Sequence, residues 1–383
     1  MSIRGAYREL VVLLCVVGSF SAEANNGDQM LGANAIQWGM AGATVGAPQD
    51  AAALFYNPAG LADLEIEEVR FDMGFGVINP PREVNGQNSD SDYYFVPAGA
   101  AAFKYSEQLR FGVGMAGLAG QGVDVPDAFP GTPGFQAVVT TKQFFRLAPT
   151  ASYAVTEKLS VGASFNINYQ SLALSNSNFD LGQTPVWGYG FTFGLFYRLS
   201  ERWRFGLSYL TEQDMETVDW NSQQGRFSLD LDQPSRLAFG VGFRPAAGWL
   251  IAADITHIAF SDVQDEVDFD TPAGPSVLNF GWDDQTVFAI AVQKEITPRL
   301  TLRTGFNYGK SPIDEEDVDT NLGSPAITEE HWSVGLTRQM GKRVYSSFSY
   351  VRGFSNEVTS DTAPFNRIKL EQNVFHGQLT YEF

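Results

Sequence analysis

Few residues in this chain have the type and spacing for chemistry. Three histidines, His257, His331 and His376, stand far apart. None belongs to a G-x-S-x-G nucleophile turn or an H-E-x-x-H metal helix, so no local catalytic pattern is present, though spacing alone leaves open a site assembled across strands. The single cysteine is Cys15, in the extreme N-terminal segment. Gly112, Gly114 and Gly117 spell G-x-G-x-x-G. A dinucleotide site needs a helix next and an acidic residue about twenty positions on. Pro126, Pro130 and Pro133 follow instead, and they forbid that helix. The acidic runs 262–270 and 314–319 can hold divalent cations or simply be solvated loops. Arg146 and Arg303 are isolated cations within apolar alternation. The expectation is no enzyme, no cofactor and no resident metal. Net charge is −19, which argues against a nucleic-acid partner, because a basic surface supplies most of that affinity.

The elements that must position these residues are strands. Arg4 and Arg8, the apolar stretch 10–17 and Ala22-Glu23-Ala24 read as a signal peptide over residues 1–24. The mature chain would then contain no cysteine, hence no disulfide and no thiolate. No later stretch approaches the roughly 18 apolar residues of a spanning helix. Aromatic residues reach 13 % and charged residues only 18 %, which suits strands with one face toward lipid. Residues 159–170 show the pattern: Leu159, Val161, Ala163, Phe165, Ile167 and Tyr169 on one face, serines, asparagines and glutamine on the other. Strands are expected near 66–79, 93–105, 107–118, 143–155, 157–172, 185–199, 202–215, 225–244, 247–262, 277–294, 298–311, 328–340, 342–356 and 367–383. Short turns alternate with long loops, as in barrels with periplasmic turns and external loops. An open sheet in lipid would leave its edges unpaired, so closure is required. The fold class is all-β, a 14-stranded antiparallel transmembrane β-barrel of an outer membrane, spanning 65–383. Trp203, Trp249, Trp332, Tyr153, Tyr169, Tyr209, Tyr350 and Tyr381 fall where aromatic girdles should lie. The last strand carries Phe375, Leu379, Tyr381 and terminal Phe383 on one face, which resembles the signal read by the outer-membrane assembly machinery, an expected partner.

Residues 25–64 lack alternation and are rich in Gly and Ala. Asp50 can cap a short helix from Ala51 to Tyr56, and Pro58 should end it at Asn57. Fourteen strands enclose more space than their side chains fill, so this segment is expected to plug the lumen. Strand glycines mark a bulge, a bend or a close approach of backbone. Gly112, Gly114 and Gly117 therefore either open the wall at a kink or make room for the plug. Residues 121–141 are apolar for an exposed loop: with Leu118, they offer Val123, Val125, Phe129, Phe135, Val138 and Val139 as an outer groove or a folded-down lid. Arg146 and Arg303 point away from the apolar faces of their strands, since a lipid-facing cation costs about 2–4 kcal/mol. They can bind an anionic head group or pair with Asp50 or Asp63. The acidic loops would disfavour anionic substrates at low salt.

The run Gly32-Ala33-Asn34, Gly39-Met40-Ala41-Gly42-Ala43 and Asp50 through Asn57-Pro58-Ala59-Gly60-Leu61 resembles the N-terminal hatch of the FadL/TodX (OMPP1) family. Residues 145–153, Leu302-Arg303-Thr304-Gly305-Phe306 and His331-Trp332-Ser333-Val334-Gly335 resemble the same family. The resemblance implies an outer-membrane transporter for long-chain fatty acids or other hydrophobic compounds, including aromatic hydrocarbons. It implies a hatch gated around Asn57, Pro58, Ala59 and Gly60. It also implies ligand capture in a loop groove, a pocket beside the hatch, and lateral release at a kink in the third strand. The alternative among relatives is an accessory barrel in protein secretion or surface attachment. The expected partners are a hydrophobic small molecule and outer-membrane lipid, with the barrel acting as a monomer.

Overall fold

The computed structural model describes residues 26–129, 137–176 and 179–383. The expected signal peptide, residues 1–24, lies outside the described residues, and so does Phe135. Fourteen antiparallel strands make the wall. They are β1 (Val69–Asn79), β2 (Tyr94–Lys104), β3 (Leu109–Val125), β4 (Val138–Leu147, resuming as Thr150–Ala154), β5 (Leu159–Asn176), β6 (Asp180–Arg198) and β7 (Trp203–Leu210, with Asp214–Met215). The second half is β8 (Arg236–Phe243), β9 (Trp249–Ile258), β10 (Gln285–Thr297), β11 (Leu300–Gly309), β12 (Glu330–Gln339), β13 (Val344–Thr359) and β14 (Arg367–Glu382). The barrel closes where β1 pairs with β14, from Arg70 opposite Glu382 to Asn79 opposite Asn373. Each strand hydrogen-bonds to both neighbours, so no long edge faces lipid.

Alternation sets the two faces. On β5, Val161 and Phe165 face outward and are about two-fifths exposed, while Asn166, Asn168 and Gln170 are fully buried inside. The aromatic outward face is the one a bilayer stabilises. Four shorter strands, Val218–Ser222, Gly225–Leu229, Glu266–Asp270 and Val277–Asn279, form a separate sheet at the long-loop end. The expected single strands 225–244 and 277–294 are each split this way, because the chain leaves the wall and returns to it. The expected loop 121–141 is corrected in the opposite sense: β3 runs on to Val125 and pairs with β4 from Val138. Its β-branched residues continue the ladder.

Residues 26–64 touch the inward faces of strands all round the wall. They contain one short helix, α1 (Ala35–Gly39), and two 3-10 turns, Ala51–Phe55 and Pro58–Asp63. Trp38, Met40, Leu54, Phe55 and Leu61 are fully buried. Each such side chain contributes about 1.5–3 kcal/mol on burial. The wall makes room with glycine. A Cβ at Gly206 would strike the Val45 carbonyl, one at Gly240 would strike Gly46, and one at Gly194 would strike the Asn57 amide.

Irregular backbone buried in this way must find hydrogen-bond partners. Wall side chains supply them. Asp254 Oδ2 accepts the N–H groups of Thr44 and Val45, both at 2.7 Å. Asp72 accepts the Ala51 N–H at 2.8 Å and Gln378 accepts the Ile36 N–H at 3.2 Å. Asn307, Ser333, Ser152 and Ser164 donate to the carbonyls of Ala41, Gly39, Ala59 and Leu54. The expected cap at Asp50 is corrected by the same network. Its carboxylate accepts from Gln37 and Gln378 instead of from its own turn, and that turn is 3-10. Asp254→Ala should lower the unfolding free energy of the folded barrel by about 2–4 kcal/mol, since two buried N–H groups lose their acceptor. Asp254→Asn should cost less. Urea titration followed by gel mobility of the folded and unfolded forms measures both.

Candidate functional site

The wall is interrupted at one place between β2 and β3. Pairing between them runs from Lys104 opposite Arg110 to Ala98 opposite Ala116 and stops there. Beyond that point β2 still pairs with β1 through Tyr94, Phe95, Val96 and Pro97. β3 still pairs with β4, after a bulge in which Leu118 is the extra residue between Gly117 and Ala119. A bulge bends and twists the strand that carries it. Pro97 adds to the break, because it has no N–H to give either neighbour. At the gap lies a cavity of about 400 Å³ that reaches both faces of the wall. Met30, Ile78, Val96 and Phe144 line its inner side, outward-facing Phe95 and Phe145 its outer side, and Lys142 and Gln121 add polar atoms.

The three candidate glycines divide between the two readings left open by sequence. Gly112 and Gly114 face the N-terminal segment: a Cβ there would meet Leu61 at 2.7 Å and Phe55 at 2.9 Å. They make room for packing. Gly117 sits at the gap, where a Cβ would meet Val96 at 2.8 Å. Asn57 donates to the carbonyls of Val45, at 2.9 Å, and Leu195, at 3.2 Å, and accepts the Ala59 N–H. It ties its own segment to β6. Pro58 starts the following 3-10 turn, Ala59 lies against Gly162, and Gly60 lies against Pro48.

Leu118 and Val123 are buried in two different apolar clusters, and Phe129 packs half-buried against the second. Leu118 packs with residues of the N-terminal segment such as Leu54 and Leu61, whereas Val123 and Phe129 pack with Phe260 and Trp282. An apolar pocket of about 260 Å³ does open nearby, lined by Val138, Leu172, Leu174, Phe179, Leu229 and Phe280 among others. Sequence reasoning missed most of these residues, because strands from two sheets bring them together. The period-two pattern of residues 225–229 was the available signal.

Arg146 and Arg303 both point inward, and neither pairs with Asp50 or Asp63. Asp63 is held by Arg198 and by Arg204, the latter at 3.1 Å. Arg303 donates to Thr337 at 2.7 Å and to Gln49 at 3.4 Å, so it holds the N-terminal segment. Arg146 donates through Nε to Asn168 and lies over the Phe144 ring. Arg236, which sequence reasoning missed, lies 4.9 Å over the Tyr56 ring. Neither Arg146 nor Arg236 has an ion-pair partner among the described residues. Arg146 is buried and Arg236 half-buried.

Comparison with known proteins decides the family. A family model described as outer membrane protein transport protein (OMPP1/FadL/TodX) matches residues 15–378. The chain belongs to the OMPP1/FadL/TodX family. A long-chain fatty acid transport protein of Salmonella typhi is 21 % identical over 345 residues, covering 77 % of this chain and 78 % of the relative. A 47 kDa outer membrane protein of Pasteurella multocida is 22 % identical over 231 residues, and this match spans about half of each chain (52 %). Among solved structures, a Pseudomonas aeruginosa FadL homologue aligns with TM-score 0.79 and 15 % identity, over 95 % of this chain and all of that one. The P. putida toluene transporter TodX aligns with TM-score 0.74 and 20 % identity, over 92 % of this chain and 99 % of its own. At those identities the structures show the fold.

Membership of this outer-membrane family explains a concavity of about 1240 Å³ on the outer wall. Phe71, Met73, Phe348, Phe375 and Leu379 line it, all outward-facing, so it belongs to the lipid-facing surface. At the long-loop end burial raises the Asp232 carboxyl to about 6, with Asp230 and other acids adding to the Asp232 shift against the Met215 N–H. Burial also raises Asp317 to about 6, helped by Glu316, Asp314 and Asp283. A carboxyl with its folded pKa above its unfolded value binds more protons when folded, so stability falls as pH rises through that window. The loop end should therefore resist protease better near pH 4.5 than near pH 7.5. Asp232→Asn with Asp317→Asn should flatten that dependence, as measured by limited proteolysis across pH.

Proposed function

We propose that this protein takes up hydrophobic compounds passively across the outer membrane, and that they leave the barrel sideways between β2 and β3. The observation that carries this reading is the end of β2–β3 pairing at Ala98 and Ala116, with a cavity at that point lined from both faces of the wall. The apolar pocket among the long loops is suited to first capture. Each CH₂ moved from water into such a site contributes about 0.8 kcal/mol. A chain of some ten carbons then binds tightly enough to need a release step. Movement of residues 26–64, the hatch of this reading, supplies that step: its Asn57 anchor and buried apolar side chains form one face of the route.

The substrate class is long-chain fatty acids or hydrocarbons. Arg146 and Arg236 favour the fatty acid, because a carboxylate there neutralises two otherwise unpaired cations. Arg236→Ala should weaken binding of a long-chain carboxylate about tenfold while leaving the matched alcohol nearly unchanged, as read by equilibrium binding to the purified protein.

The lateral route is tested by closing it. A Val96→Cys, Gly117→Cys pair places two sulfurs across the gap, and Cys15 is the only other cysteine in the chain. The disulfide form should lose uptake into cells or vesicles, and reduction should restore it. Undiminished uptake through the locked form would end the proposal.

A further inference from the structure

The gap between β2 and β3 is closed from the inside by the start of the described chain. Where β3 has lost β2, residues 28–30 take its place as a short partner. The Met30 N–H donates to the Leu118 carbonyl at 2.9 Å, and the Gly120 N–H donates to the Asp28 carbonyl at 3.1 Å. Gln29 stands opposite Ala119 in a bridge. These are the backbone groups of the bulged stretch, and residues 28–30 satisfy them where β2 does not.

One side-chain contact locks this arrangement. Lys142 of β4 meets Asp28 at 2.7 Å, and both side chains are almost completely buried. Lys142 has no other ionic partner among the described residues. Its side chain also lines the 400 Å³ cavity, together with Gly27 and Met30 of the closing segment. Thus the cation that holds the segment in place belongs to the wall of the cavity that a ligand must cross. A buried ion pair is costly to break by removing one partner, because the other charge is stranded. A second anion removes that cost by taking over the stranded charge.

We propose that Lys142 is an exchangeable anion site. The carboxylate of an amphiphile in the cavity replaces Asp28 on Lys142, and the exchange frees residues 26–30 from β3. No covalent bond changes; one carboxylate substitutes for another on the same ammonium. Release is then selective for anionic amphiphiles. A neutral hydrocarbon of equal length fills the cavity and leaves the Asp28–Lys142 pair intact. This inference rests on the lateral route proposed above.

The experiment uses the full-length protein with Asn26→Cys as a reporter of segment release, probed with dodecanoate and dodecanol. Maleimide labelling of Asn26→Cys should accelerate about tenfold with saturating dodecanoate and stay unchanged with dodecanol. Asp28→Asn removes the competing carboxylate, so it should label fast without ligand and bind dodecanoate about tenfold more tightly. Lys142→Met should lose the preference for dodecanoate over dodecanol. A double Asp28→Asn, Lys142→Met variant removes both charges and should behave like Lys142→Met, so that a stranded charge does not explain the result. Heat-dependent gel mobility confirms that each barrel is folded. Equal acceleration by dodecanoate and dodecanol, or no tightening in Asp28→Asn, overturns the exchange. Uptake that survives the Val96–Gly117 disulfide overturns the lateral route instead. A disulfide that blocks uptake while the labelling responses are absent leaves the route standing and rejects only Lys142.

Discussion

The constraint on which this structure depends is the burial of irregular backbone. Residues 26–64 fill the inside of a fourteen-stranded wall, yet only five of them are α-helical, in α1 (Ala35–Gly39). Helices and sheets satisfy their own peptide groups. This segment cannot, and water is largely excluded, so the wall has to provide donors and acceptors. Asp254, Asp72, Gln378, Asn307, Ser333, Ser152 and Ser164 are the result. Inward positions that would otherwise tolerate any polar residue are tied to particular peptide groups. The same close approach explains why Gly194, Gly206 and Gly240 carry no side chain.

The break between β2 and β3 follows from the same requirement. A strand cannot leave its neighbour without orphaning a run of N–H and C=O groups. Here the bulge at Leu118 lets β3 stay paired with β4, and residues 28–30 accept the groups turned away from β2. The opening in the wall and the position of the segment inside it are therefore one structural feature. Moving either one exposes the peptide groups of the other.

Charge is distributed with a similar logic. The chain is strongly acidic overall. Its long-loop end concentrates carboxylates, two of which burial pushes up to about 6. The interior holds arginines as well as the buried carboxylates of Asp28, Asp50, Asp72 and Asp254. Arg303, Arg198 and Arg204 are engaged by the N-terminal segment, whereas Arg146 and Arg236 lack acidic partners among the described residues. An acidic exterior slows the approach of an anion through screened, long-range repulsion. An unneutralised interior pair acts at short range and low dielectric, where it matters more.

The sequence by itself determined the wall. Strand alternation, the sorting of short and long connections and the absence of a spanning helix are local patterns, and each strand buries one face whatever its partners. Hence the number of strands and the inward placing of Arg146 and Arg303 were legible, whereas the splitting of 225–244 and 277–294 and the extension of β3 to Val125 were not. The Asn57-Pro58-Ala59 resemblance marked the family. Tertiary structure alone decided what the inward residues do. Arg303 and Arg146 look alike in sequence, but one meets Gln49 and the other meets no acid. Gly112 and Gly117 share one motif, but the first packs on Leu61 and the second stands at the gap. Val123 and Phe129 read as an outer groove or a folded-down lid, and only the tertiary structure supplies the apolar cluster they pack into. Lys142 carried no signal at all, because its partner Asp28 lies more than a hundred residues away and only barrel closure brings the two together. Local periodicity records which face a residue occupies. Its partners depend on contacts between distant segments, which periodicity does not encode.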